Sequence, residues 1–224
     1  MTQAGGAPGR ILVINPNSSL AVTAAIDAAV QPLRIAGGPE IVVDTLRTGP
    51  PGIATQRDAD SVVMPLAEWV RADEADAFVL ACFSDPGLHA VREAAGGRPV
   101  MGIAEWGLLR ALTLGERFGI IALSSASIVR QQRYVRQMGL NDRYAGSWPI
   151  DASAEDTAGQ AVRERLAEAG RHLAKQRGAD VLVLGCAGMA NHRRALQELT
   201  GRPVVEPTQQ AVAAALGALL LAVS

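Results

Sequence analysis

The 224-residue chain is poor in the side chains that most cofactor and metal chemistry requires. It has two cysteines, Cys82 and Cys186, three histidines, His89, His172 and His192, and one lysine, Lys175, against twenty arginines. A pyridoxal phosphate enzyme needs a lysine for its Schiff base, and Lys175 stands two residues after Leu173, about 200° round a helix from the apolar stripe, so it is expected to face water. A zinc site needs ligands in tight spacing, whereas the histidines lie far apart and no C-x-x-C occurs. An excess of charge of one sign is also missing. Twenty-one basic residues balance twenty-two acidic ones, a net charge of −1, so nothing global draws the chain to nucleic acid or an anionic membrane. The longest apolar run, Ala211 to Val223, is about thirteen residues, short of the roughly 20 that a bilayer demands, and is expected to form a closing core helix. Met1 to Gly9 lack the apolar core of an export signal and read as a frayed terminus, which leads to the expectation of a cytoplasmic protein. In that reducing compartment the two cysteines are either small core residues or working thiols, not a structural disulfide.

What is present is a globular composition, 49% apolar and 19% charged, enough for a sizeable core in one large or two small domains. Runs rich in Val, Ile and Leu recur at Arg10 to Ile14, Ile41 to Leu46, Ala77 to Ala81, Val100 to Ile103, Phe118 to Leu123, Ser147 to Ile150, Val181 to Leu184 and Val204 to Val205. Segments of helical period separate most of them. Val162, Leu166, Ala169 and Leu173 follow i, i+4, i+7, i+11 spacing after a candidate cap at Ser153. Such alternation predicts an α/β fold with largely parallel sheets.

The chain also repeats itself. At an offset of 104, Ala75, Asp76, Val79, Leu80 and Cys82 match Ala179, Asp180, Val183, Leu184 and Cys186, and Gly97-Arg98-Pro99-Val100 matches Gly201-Arg202-Pro203-Val204. At an offset of 109, Ile11 to Asn15 resembles Ile120 to Ser124. We therefore expect two similar halves related by a pseudo-twofold axis, residues 1–104 with the helix 208–224 packing back, and residues 105–207. Each half is expected to hold a mainly parallel four-stranded sheet flanked by helices, with the active site in the cleft between them.

Each cysteine follows an apolar strand and precedes a predicted helix, at the sheet edge where open α/β folds bind ligands. After Cys82, Ser84 or Asp85 is expected to cap that helix and Pro86 to enter its first turn. A helix amino terminus favours thiolate over thiol and should lower the pKa from its ordinary value of about 8.5. Two thiols facing a ligand from opposite sides fit inversion at a carbon acid, where one base removes a proton and the conjugate acid opposite returns one. Asn15, Ser124, Ser125 and the amides after each cysteine are candidates to hold the intervening anion.

The motifs Ile14-Asn15-Pro16-Asn17-Ser18-Ser19, Ala81-Cys82-Phe83-Ser84-Asp85-Pro86-Gly87-Leu88 and Leu184-Gly185-Cys186-Ala187-Gly188-Met189 together resemble the aspartate/glutamate/hydantoin racemase superfamily, specifically its hydantoin and allantoin racemase branch. The likeness runs from about Arg10 to the final helix and includes the loop Thr48-Gly49-Pro50-Pro51 and the run Gly102-Ile103-Ala104-Glu105. It implies a cofactor-independent racemase, with no metal, in which Cys82 and Cys186 are the catalytic acid/bases on a 5-substituted hydantoin or related cyclic ureide. It further implies a pocket lined by Asn15, Thr48, Phe83, Ser84 and the amides of Ala187 and Gly188, closed by Ser124 and Ser125, and a homo-oligomer. Ser84 departs from the glycine usual there. Glu206 stands where the family more often has aspartate, and Ala187-Gly188 replaces the Thr-His of amino-acid racemases. These departures bear on the substrate side chain.

Alternatives are an aspartate/glutamate-type racemase, a decarboxylase or isomerase of the same superfamily using one cysteine, and a two-lobed ligand-binding module. Of the remaining polar residues, His192 reads as solvated or capping and His89 could reach the cleft entrance. Asp85 could cap a helix or hydrogen-bond near the first thiol, with the cap favoured. The loop Gly49-Pro50-Pro51-Gly52 is compatible with a lid.

Overall fold

In the computed structural model, residues 9–153, 156–158 and 162–222 are described. Met1 to Pro8 of the expected frayed terminus, and Val223 of the last apolar run, lie outside them. The apolar runs become strands β1 (Arg10–Asn15), β2 (Glu40–Thr45), β3 (Ala77–Leu80), β4 (Val100–Gly102), β5 (Phe118–Ala122), β6 (Tyr144–Pro149), β7 (Val181–Leu184) and β8 (Val204–Val205). They form two parallel four-stranded sheets with the same order, β2-β1-β3-β4 and β6-β5-β7-β8. The expected two-half α/β fold is therefore the observed one. Most strand bounds lie within one residue of expectation, and the start of β6 departs further. Ile103 opens a helix instead of closing β4, and β6 starts three residues early because a register irregularity at Phe118/Gly119, opposite Gly146 with φ +123°, breaks the apolar pattern.

The halves correspond bond for bond. The Asp76 carboxylate accepts from Arg10 N–H, and the Asp180 carboxylate accepts from Arg117 N–H. Ile14 pairs with Leu80 and Ile121 with Leu184, so positions 14 and 121 correspond. The first strands are thus offset by 107, not the 109 of the sequence comparison, and Asn15 corresponds to Ala122, not to Ser124. The 104 offset of the cysteine strands stands unchanged.

The helices are α1 (Leu20–Val30), α2 (Gln56–Ser61), α3 (Val63–Ala72), α4 (Leu88–Ala94), α5 (Ile103–Leu112), α6 (Ser125–Gln137), α7 (Arg163–Gln176), α8 (Arg193–Thr200) and α9 (Pro207–Ala222). Val162, Leu166, Ala169 and Leu173 are buried, as their spacing required, and Lys175 is exposed. Ser153 does not cap α7. Its hydroxyl accepts from Asp156 N–H and opens the separate turn Asp156–Ala158.

Strand alternation sorts the core into three layers. Ile11 and Val13 point into a shared core, while Leu12 and Ile14 point into the outer core of the first half. Phe118, Ile120, Val181 and Val183 likewise face the shared core, and Ile121, Leu182 and Leu184 the outer core of the second half. Between the sheets lie α5 and α9, the equivalent helices that follow β4 and β8. They are exchanged: α5 packs on β5, β7 and β8, and α9 on β1, β3 and β4. Gly107 permits their contact, since a Cβ there would lie 2.7 Å from Pro207 Cβ. Each large side chain buried in this layer contributes roughly 1.5–3 kcal/mol, so the cleft has walls fixed relative to each other.

Candidate active site

Equivalent backbone bonds end each cysteine strand: Ala81 N–H donates to Ile14 O and Gly185 N–H to Ile121 O, at 2.8 and 2.9 Å. The next residues are Cys82 and Cys186. Both are partly exposed free thiols, and both line one cavity of about 230 Å³ between the halves. The topology therefore brings the two sequence-equivalent thiols to a single cleft.

Their protonation differs from the expectation of a lowered pKa. Burial pushes the Cys82 thiol up to about 12, opposed by a hydrogen bond with the Ser84 hydroxyl, Sγ to Oγ 3.3 Å, and reinforced by the nearby charges of Cys186 and Asp85. Burial also raises the Cys186 thiol, opposed by hydrogen bonds from the Gly188 amide and the Thr157 side chain. The helix field is weaker than the sequence suggested. After Cys82, residues 83–87 form a turn, and α4 begins only at Leu88 with Gly87, φ +68°, as its uncapped N-cap. After Cys186 comes a 3-10 turn, Ala187–His192, with Cys186 at its N-cap.

Of the residues expected around the thiols, Phe83, Ser84, Ser124 and Ala187 line the cavity. Asn15 does not. It is fully buried, its amide donating to Asn17 Oδ1, Ser19 O and Thr23 Oγ1, and it shapes the loop that presents Asn17 to the cavity instead. Gly188 is buried behind the lining, where its amide serves Cys186. Thr48 and Ser125 are exposed and outside the lining, because the chain bends back at Gly49 and Ser125 begins the solvent side of α6. The Gly49-Pro50 segment is pinned: Ser18 N–H donates to Pro50 O at 2.9 Å, and a Cβ on Gly49 would lie 2.4 Å from Pro16 O. The cavity is covered a few residues later, by Ile53, Ala54 and Gln56.

Sequence reasoning missed the contribution of α6. Ser127, Gln131, Tyr134 and Val135 share one face of it and line the cavity with Arg130 and Arg133. The available signal was polar Ser127 and Gln131 recurring at helical spacing on a face that is otherwise core. From this helix Arg130 Nη1 donates to Ala54 O at 2.6 Å and Arg133 Nη1 to Gln56 Oε1 at 3.2 Å, strapping the covering segment of the first half to the second.

Three further polar residues take defined places. His192 is 3% exposed, not solvated, with Nε2 2.9 Å from Thr157 O. His89 is exposed and lines a neighbouring hollow. Asp85 caps a helix, but not the one that follows it: its carboxylate accepts from Ala104 and Glu105 N–H at the start of α5, at 2.9 and 2.8 Å, and from Tyr134 Oη of α6 at 2.7 Å. Glu206 is fully buried outside the cavity lining and caps α9, accepting from Thr208 and Gln209 N–H. Among the described residues no group of three or more His, Cys, Asp or Glu side chains is placed to hold a metal ion, and no helix is long and apolar enough to cross a membrane.

Two thiols at equivalent strand ends, facing one cleft between duplicated α/β halves, define the class as an isomerase of the racemase type. The chain belongs to the Asp/Glu/Hydantoin racemase family, whose sequence profile matches residues 11–215, and within it to the hydantoin/allantoin racemase branch. It is 36% identical to a hydantoin racemase of Paenarthrobacter aurescens over 210 residues, 90% of this chain and 87% of that protein. A hydantoin racemase of Rhizobium meliloti is likewise 36% identical over 211 residues, 90% of this chain and 85% of its own. Among solved structures, allantoin racemase from Klebsiella pneumoniae superposes with a TM-score of 0.89 at 32% identity, over 96% of this chain and 89% of that one.

Proposed function

We propose that the protein inverts C5 of 5-substituted hydantoins or a related cyclic ureide such as allantoin, by two-base catalysis without a cofactor, with Cys82 and Cys186 as the bases. The observation that carries this reading is the pair of equivalent thiols on one cavity. One cysteine enters as thiolate and takes the C5 proton, so that the C–H bond breaks and an S–H bond forms. The electron pair passes onto the adjacent ring carbonyl as an enolate. The thiol opposite then gives its proton to the other face of C5 and becomes the thiolate. The protein ends with the protonation states exchanged, ready for the mirror-image substrate, and resets by trading protons with solvent. Ser84, Asn17, Ser124, Gln131 and the Ala187 amide are the candidate donors to the oxyanion and Phe83 the candidate apolar wall, a reading supported by their place in the cavity lining.

The substituent is addressed by α6. Arg130 Nε–H is buried at the cavity wall and finds no acceptor among the described residues, which supports a 5-substituent carrying an oxygen acceptor, such as the ureido group of allantoin, over a purely aliphatic one. Exposed Met64, Val129 and Leu221 offer apolar surface to a homo-oligomer. Size-exclusion at a monomer mass would remove the oligomer.

The test is optical rotation of single enantiomers of allantoin and of 5-isobutylhydantoin. Rotation should decay to zero with either, faster with allantoin. Cys82→Ser and Cys186→Ser should each lower the rate by about 10³-fold or more, in line with losing a positioned acid/base. Unchanged decay in either variant contradicts the assignment.

A further inference from the structure

The 104 offset that equates the cysteines also equates Asp85 with Met189, Gly102 with Glu206, Ala104 with Thr208 and Glu105 with Gln209. In both halves a buried carboxylate accepts from the same two amides, the second and third of the equivalent helices α5 and α9. It comes from different places in the chain. In the second half Glu206 stands at the N-cap and supplies its own carboxylate. In the first half the N-cap is Gly102, and the carboxylate arrives from Asp85, three residues after Cys82. The two solutions exclude each other: a Cβ on Gly102 would lie 2.3 Å from Asp85 Cγ, while the φ of −91° at Gly102 suits any residue.

This exchange has a functional consequence. A cap supplied by the helix itself ties down nothing else, but a cap supplied by the cysteine loop ties that loop to α5. Asp85 is held at φ +41°, a left-handed conformation that is strained for a non-glycine residue, and the residue is 4% exposed. Tyr134 adds a third bond from the opposite half. The turn between thiol and carboxylate is short, with Asp85 N–H donating to Cys82 O at 3.0 Å and Ser84 meeting the sulfur. We infer that Asp85 is a positioning residue, a latch that fixes the Cys82 loop against α5 and α6, and that among the described residues Cys186 has no carboxylate latch of this kind. The inference rests on the two-thiol reading for its kinetic consequence.

Enantiomers have equal free energy, so any variant must change kcat/KM for both directions alike. The asymmetry shows in isotope exchange instead. With Cys82 misplaced, the enantiomer deprotonated by Cys186 still loses its C5 proton but receives one back on the same face. Its exchange therefore outpaces its inversion. The decisive variant copies the solution of the second half into the first: Asp85→Met with Gly102→Glu. Asp85→Met alone should lower Tm, and the double variant should recover it, because Glu at position 102 caps α5. In D2O the double variant should nevertheless invert either enantiomer at least tenfold more slowly than the wild type. The ratio of exchange to inversion should rise at least tenfold for one enantiomer only. A double variant that recovers both Tm and inversion would make Asp85 a helix cap and nothing more, and overturn the inference.

If the double variant does not fold, Tyr134→Phe, which keeps the ring and the cap, decides. A rise in the same ratio of threefold or more is expected, and an unchanged ratio overturns the inference. Failure of the racemase reading itself is separable: the wild type would then invert no hydantoin or allantoin. In that event iodoacetamide labelling, read by peptide mass spectrometry, tests the latch alone. The double variant should change labelling of Cys82 at least threefold with Cys186 unaltered, and equal labelling of both against the wild type would overturn it.

Discussion

At Cys82 and Cys186 burial and hydrogen bonding act on the same proton in opposite directions, and burial wins. Both thiols lie above the ordinary cysteine range, Cys82 at about 12, although helix fields and donors are present. For a pair that needs one thiolate and one thiol this is useful. The charge of Cys186 raises the cost of ionising Cys82, so the two protons leave in separate steps and a doubly ionised pair is disfavoured. The acid stays protonated at neutral pH, and the scarce species is the base. The sign follows directly. With the thiol pKa raised, the thiolate fraction grows about tenfold per pH unit on the acid side of it, so kcat/KM should climb with a slope near one in log units between pH 6 and 8. A pH–rate profile that is flat or falling over that interval contradicts the assignment of the base.

Among the elements, α5 and α9 determine whether the cleft exists at all, because each grows from one half and packs on the sheet of the other. They meet at Gly107, where a Cβ would lie 2.7 Å from Pro207 Cβ. Gly107→Ala places a Cβ into Pro207 and should destabilise the fold by about 1–3 kcal/mol, measured as a lowered denaturation midpoint. A midpoint equal to the wild type would show that the two helices can slide apart. This element level is also where sequence and structure part company. The strands were legible because burial on both faces writes them as unbroken Val, Ile and Leu runs, and Cys82 and Cys186 because a rare residue recurred at one offset. The closing helix 208–224 was expected to pack back on the first half, but its pairing with α5 between the sheets was not legible, since the partner of an apolar helix face is not written in its own periodicity. The origin of the Asp85 cap was equally hidden, because its donors are nineteen and twenty residues away. The cleft-lining face of α6 was written in Ser127 and Gln131, but polar residues on a core face declare themselves only once the opposing cleft is known.

For the whole molecule, duplication supplies the chemistry. One α/β half places one thiol at one strand end; two halves about a pseudo-twofold axis place two thiols around one cavity. Departures from symmetry then carry the individuality of the site: the Ser84 hydroxyl beside one thiol and the Gly188 amide beside the other, an aspartate latch on one side and a self-capped helix on the other, and the α6 arginines reaching over the mouth. The central claim is that protons leave and arrive on opposite faces through different sulfurs. Its most direct test is a single enantiomer in D2O with the wild-type protein, sampled before a tenth of it has reacted, with deuterium at C5 measured separately in the two enantiomers after chiral separation. The two-thiol account predicts a product enantiomer that carries deuterium and a remaining substrate that is still almost wholly protiated. Deuterium entering the remaining substrate as fast as the product would show one base serving both faces and would contradict it.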